Sequence, residues 1–241
     1  MNEARHSLER LAAADDRLLA TATALSDAQA REPSLLPGWS RGHVLTHIAR
    51  NADGMVNLLR WARTGTPTPM YASAESRAAD IEAGAGRPAA DLAADMRESA
   101  AALAAEAASM PEDAWTAQVR ALNGPPFAAL EVLERRLSEV EIHHVDVGAG
   151  YAPGDWPTDF LSEALPRVAE SFAGRDDVPP CVAWAEGAKD SFRLGPDHAG
   201  QPAVSIRGRP ADLLAWLLGR GDGSTLTVAG GGTLPELPPW R

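Results

Sequence analysis

The chain has 241 residues, a single cysteine and a formal net charge of -11, with 45% hydrophobic and 23% charged positions. That length allows one large domain or two small ones, each able to bury a core without disulfides or a structural metal. The lone Cys181 excludes an internal disulfide framework and a zinc ribbon, and the acidic balance speaks against a general binder of phosphate backbones.

Neither an apolar run long enough to span a bilayer nor a signal-like N-terminus is readable, which predicts a cytoplasmic protein without a membrane partner. All but one of the 22 basic residues are arginine, Lys189 being the exception. This reads as codon bias of a GC-rich genome, since nothing functional demands a guanidinium at nearly every basic position.

The first half reads as helices. Residues 3–24 carry Leu8, Leu11, Leu18 and Leu19 among alanines, a helical period rather than an alternating one. The Pro-bearing stretch REPSLLPGWS (31–40) breaks it, and Ser40 is placed to cap a second helix that ends near Gly65 and the Pro67/Pro69 pair. Val44, Ile48, Met55, Leu59 and Ala62 give that helix an apolar face. An Ala-rich third helix spans 88–109. A fourth begins after Pro125–Pro126 and runs to about Val147, with Phe127, Leu130, Leu133, Leu137 and Val140 at helical spacing. Four helices joined by Pro- and Gly-bearing loops predict a four-helix bundle.

GAGYAPGDWP (148–157) marks a change of composition and is taken as a linker. Beyond it CVAWAEG (181–187), SFRLG (191–195), AVSIRG (203–208) and TLTVAGG (225–231) read as short strands. PADLLAWLLGR (210–220) reads as one helix that Gly221 is available to end. The whole is therefore of the α+β class.

Four of the six histidines fall in two helical clusters. GHVLTHIARNADG sets His43 and His47 one turn apart. LSEVEIHHVD sets Glu139 and His143 one turn apart, with Glu141 and His144 as a second pair. Residues four apart share a helix face, so Glu139 and His143 converge, and one imidazole from a facing helix would complete a His-Glu-His set. Three protein donors with an open position is the arrangement of a catalytic zinc site. The same spacing also suits an ordinary helix-surface pair or hydrogen-bonded interior histidines. A di-iron site would want Glu-x-x-His on two helices, and the second helix offers no carboxylate at that offset.

Asp146, three residues past His143, is placed either to orient that imidazole or to face solvent near the helix end. His6 and His198 are isolated. Cys181 reads as a small buried apolar residue. Trp39 and Trp216 read as core packing, and Arg220 suits either a helix C-terminus or an anion. P-loop, dinucleotide-type glycine and GxSxG motifs are missing from the sequence.

The segments PGWSRGHVLTHIARNADGM, TPMYAS, IEAGAGRPAADL, LERRLSEVEIHHVDVGAGY and LLAWLLGRGDGS resemble the mycothiol-dependent maleylpyruvate isomerase family over nearly the whole chain. The resemblance implies a DinB-like four-helix bundle over 1–150 that holds a divalent metal, usually zinc, and works with mycothiol. It implies a smaller α+β domain over 151–241. The family's metal ligands fall on His47, Glu139 and His143, and its functional arginine on Arg220. The implied reaction is the cis–trans isomerisation of maleylpyruvate to fumarylpyruvate by reversible addition of a metal-held thiolate to the double bond.

A mycothiol S-transferase acting on another electrophile is the alternative with the same parts. The TPMYAS and IEAGAGR segments favour the isomerase. A bundle that only binds metal or a protein is a third reading, and the His-Glu-His set joined to an arginine in the second domain speaks against it.

Overall fold

Ser40 caps the helix that the sequence asks it to cap. Its hydroxyl accepts from the backbone N–H of His43 at 3.3 Å, while His43 Nδ1 accepts from the Ser40 N–H at 3.2 Å. This is a capping box in which an imidazole takes the place usual for Glu or Gln. The computed structural model describes residues 2–122, 124–196 and 204–240; His198 lies outside them. Two compact units divide the chain, 1–150 and 151–241.

In the first unit α1 (Asn2–Ala24), α3 (Arg41–Thr64), α5 (Ala89–Ala108) and α6 (Glu131–Asp146) are the long helices. α3 packs against α5 and α6, and α1 packs against the same two. The core draws Leu11, Ala14 and Leu18 from α1, Leu45, Ile48 and Leu59 from α3, Leu92 and Leu103 from α5, and Leu133, Leu137 and Val140 from α6. Burying each of the larger aliphatic side chains contributes roughly 1.5–3 kcal/mol. α3 ends at Gly65, whose φ of 70° suits only a residue without Cβ.

Shorter elements stand beside the four long helices. α2 (Asp27–Arg31) is a five-residue turn of helix with its own capping box at Ser26. α4 (Ala74–Ala85), capped by Ser73, packs on α3. The approach is close because glycines face the partner: a Cβ at Gly42 would stand 2.2 Å from the Ala85 carbonyl oxygen, and one at Gly84 would stand 2.4 Å from the Thr46 methyl. A short antiparallel hairpin, β1 (Gln118–Arg120) and β2 (Pro126–Ala128), precedes α6. Phe127 therefore belongs to a strand and not to the fourth helix, which starts only at Glu131. Pro126 withholds a backbone N–H, and extended backbone at Phe127 lets its side chain enter the core (5% exposed) beside β1.

In the second unit β3 (Cys181–Ala185), β4 (Ser191–Leu194), β5 (Val204–Gly208) and β6 (Thr227–Val228) form a four-stranded mixed sheet of order β4-β3-β5-β6, and α7 (Thr158–Glu170) packs on β4 and on α8 (Pro210–Leu217). β3 pairs antiparallel with β4 and parallel with β5; β6 pairs antiparallel with β5. α8 stops earlier than expected. Gly219, with φ 68°, ends it and not Gly221. The Gly219 N–H donates to Trp216 O and the Arg220 N–H to Ala215 O, the paired bonds of a Schellman motif. No helix among the described residues is long and apolar enough to cross a membrane.

Candidate metal centre

Glu139 and His143 sit one turn apart near the C-terminal end of α6, and His47 comes from the second turn of α3. Two sets of contacts hold these helix ends together. Arg41, the first residue of α3, donates from Nε to Val147 O at 3.0 Å and from Nη2 to Gly148 O at 3.0 Å. The Leu35 N–H, from the loop before α3, donates to Asp146 O at 2.9 Å. Further along α6, the buried Arg136 donates from Nη1 to Ile48 O at 2.8 Å and to Asn51 Oδ1 at 3.0 Å, and from Nη2 to Asp15 Oδ1 at 3.4 Å. The register of α6 on α3 is thus fixed by hydrogen bonds on both sides of the histidines.

The three donor atoms form a small triangle. His47 Nε2 lies 3.1 Å from Glu139 Oε2 and 3.2 Å from His143 Nε2, and the His143 Nε2–Glu139 Oε2 distance is 3.5 Å. A tetrahedral ion with ligand bonds of about 2.0–2.2 Å spaces its donors about 3.3–3.6 Å apart. Two imidazoles and a carboxylate fit such an ion in number, chemistry and spacing, and leave a fourth position open. These are the only three described residues that gather in this way.

Electrostatics agree with that fit. Burial pushes the Glu139 carboxyl up, but hydrogen bonds from His143 and His47 outweigh it and hold the group well below the usual carboxylate range. Burial pushes His143 down, yet the bond to Asp146 and then the Glu139 carboxylate raise it to about 9. His47 is lowered, by burial first, against the pull of Glu139. Glu139 is therefore ionised over the whole physiological range and ready to receive a cation.

Behind His143 stands Asp146, 1% exposed, whose Oδ2 accepts from Nδ1 at 2.8 Å. A carboxylate there fixes the tautomer that turns the Nε2 lone pair to a metal. The remaining histidines of the two clusters are engaged elsewhere. His43 serves the Ser40 cap through Nδ1 and meets Glu82 Oε2 through Nε2 at 3.1 Å. Glu141 and His144 face α1, where Arg17 and Thr21 bond them. That arrangement removes the Glu-x-x-His pair from the centre. Trp39 is half-buried; it sets its ring edge against His47, with centroids 5.7 Å apart, and stacks on His43.

Sequence reasoning missed two side chains on the centre's other flank. Arg77 of α4 reaches His47 Nδ1 with Nη2 at 3.1 Å. The ring of Tyr71 lies 5.7 Å from the Arg77 guanidinium carbon. Tyr71 falls within TPMYAS, whereas no spacing tied Arg77 to either histidine cluster. In the second unit Arg220 follows α8 and donates from Nη1 to Leu218 O at 2.7 Å. Cys181 is fully buried on β3, and burial pushes its thiol up to about 11.

Comparison with known proteins gives a consistent picture. A family model described as the mycothiol maleylpyruvate isomerase N-terminal domain matches residues 11–148, and one for the C-terminal domain of the same family matches 155–239. The fold is similar to a crystal structure of the mycothiol-dependent maleylpyruvate isomerase. The TM-score is 0.88 at 31% identity, over 98% of this chain and 97% of that one. A histidine-to-alanine mutant of that isomerase aligns with a TM-score of 0.87 at 30% identity, over 98% of this chain and 97% of its own. Among curated protein sequences none matches.

Proposed function

This chain belongs to the mycothiol maleylpyruvate isomerase family, and we propose that it catalyses, in the cytoplasm, the mycothiol-dependent conversion of maleylpyruvate to fumarylpyruvate. His47, Glu139 and His143 hold a divalent ion, zinc foremost. The observation that carries the reading is the donor triangle, whose edges of 3.1, 3.2 and 3.5 Å suit a tetrahedral ion with one open position. When bound, such an ion supplies a positive centre that keeps a thiol deprotonated at neutral pH.

The protein's own groups have distinct tasks. Cis–trans isomerisation of a conjugated alkene needs a nucleophile that adds, permits rotation about the resulting single bond, and leaves again. The chain's one thiol is unsuited to this, because Cys181 is buried and its proton is held more tightly than usual. An external thiol must therefore provide the sulfur. Glu139, ionised, offsets the charge of a cation, and Asp146 holds His143 in the ligating tautomer. Arg220 supplies a guanidinium for a carboxylate of the dianionic substrate, in the forked geometry that carboxylates favour.

Metal analysis and product analysis test the reading. Protein purified without chelator is expected to carry near-stoichiometric metal, lost in His47→Ala. It is expected to give the trans isomer from maleylpyruvate only when mycothiol is present. A stable thiol adduct accumulating in place of the trans isomer would transfer the function to an S-transferase. Wild-type rates from Arg220→Ala would remove that arginine from carboxylate binding.

A further inference from the structure

The two histidines of the centre differ at their outer nitrogens. His143 Nδ1 meets an acceptor, Asp146 Oδ2 at 2.8 Å. His47 Nδ1 instead meets Arg77 Nη2 at 3.1 Å, and a guanidinium has only donors. That bond requires a lone pair on His47 Nδ1, which places the proton of the neutral ring on Nε2, facing Glu139 Oε2 at 3.1 Å. Coordination through Nε2 requires the opposite tautomer, with the proton on Nδ1. Two donors would then confront each other, so Arg77 and a coordinated His47 cannot keep this contact.

Released from His47, Arg77 still carries a full positive charge. Among the described residues no carboxylate forms an ion pair with it. Its other neighbour is the half-buried Tyr71, whose ring centroid lies 5.7 Å from the guanidinium carbon. Tyr71 keeps the guanidinium beside the centre without neutralising it. The helix that carries Arg77 is held close on α3 by the glycine contacts at positions 42 and 84. A cation one hydrogen bond from a metal ligand opposes metal binding, and unless an anion joins it the arrangement is unfavourable.

We propose that Arg77 recognises a carboxylate of the substrate: it rests on His47 Nδ1 in the metal-free centre and turns to the anion once His47 is coordinated. The inference rests on the reading that the substrate is an unsaturated dicarboxylate.

The test uses full-length Arg77→Ala and Arg77→Lys beside the wild type. Zinc affinity is measured by competition with a chelator, and the unreactive dicarboxylate succinate is titrated into zinc-loaded protein without thiol. Arg77→Ala is expected to bind zinc at least as tightly as wild type. It is expected to lose roughly 10- to 100-fold in succinate affinity, with a matching rise in KM, the size of one charge-assisted hydrogen bond. Arg77→Lys is expected to recover part of both. Nitrogen-detected NMR of the imidazoles is expected to show the His47 proton move from Nε2 to Nδ1 when zinc is added. Unchanged succinate binding and KM in Arg77→Ala, or weaker zinc binding there, would overturn the proposal. Wild-type protein that binds zinc but never isomerises maleylpyruvate would instead sink the function above, and succinate binding with the tautomer shift would still decide on Arg77.

Discussion

Replacing Asp146 by asparagine isolates the charge behind His143. The side chains are nearly the same size, and an amide oxygen can still accept from Nδ1, so the bond to His143 is kept while its charge is lost. A hydrogen bond to a charged partner contributes about 1.5–3 kcal/mol against about 1 kcal/mol for a neutral one, and the difference corresponds to a ~2- to 30-fold weaker metal affinity. The loss is not expected to be equal at every pH. The same carboxylate helps raise metal-free His143 to about 9, so at neutral pH a metal must displace a proton that Asp146 itself helps to hold. Without that charge the displaced proton is held less tightly, which offsets part of the lost affinity near pH 7. The deficit of Asp146→Asn should therefore widen from pH 7 to pH 9. Zinc titrations against a chelator at the two pH values measure it. Equal affinity for variant and wild type at both would show that Asp146 does not tune the ligand.

Metal uptake by the wild type at pH 7–8 should release close to one proton. The raised His143 stabilises the metal-free fold fully below its ordinary value of 6.5, and that contribution is lost as pH rises through about 9. Apparent zinc affinity should accordingly climb about tenfold per pH unit across that window, and calorimetry in buffers of different ionisation enthalpy would expose a pH-independent uptake as a contradiction. Arg136→Ala strips the buried partner from Asp15 and the donors from Ile48 O and Asn51, and should cost about 3–5 kcal/mol in urea unfolding; a loss below about 1 kcal/mol would show that water replaces it. Cys181, fully buried and with its thiol at about 11, should resist a disulfide reagent at pH 8 in the native protein and react at once in denaturant. Rapid native reaction would show the thiol to be accessible.

The parts of the fold that announced themselves were those with a long apolar stripe and a clear stop. α3 had both, with Ser40 at one end and Gly65 at the other. α4 had neither: only Ile81, Gly84 and Ala85 of its twelve residues are buried, and glycine and alanine leave no periodic signal. Arg77 was hidden with it. α7 carries a legible stripe in Phe160, Ala164, Leu165 and Val168, but Pro166 in its interior reads as a breaker. The hairpin before α6 went unread because its strands have three residues each, too few for alternation to show.

At the centre, spacing alone joined Glu139 to His143, because four residues is a property of one helix. Choosing His47 over His43 needed the family resemblance, since both lie on nearly the same face of α3. The structure separates them by what else they do: His43 is committed to capping, and no periodicity reports that.

The clamp of Arg41 and Leu35 on the end of α6 has a consequence for disorder. The last carbonyls of a helix lack partners within it, and terminal turns fray most readily. Here that vulnerable turn carries His143 and Asp146. The carbonyls of Asp146, Val147 and Gly148 each receive a donor from the start of α3 or the loop before it. The turn is thus stitched down before any ion arrives, and little conformational entropy remains to be lost when one does. Amide exchange in the final turn of α6 should accordingly be slow even in metal-free protein, unlike that of an ordinary helix end.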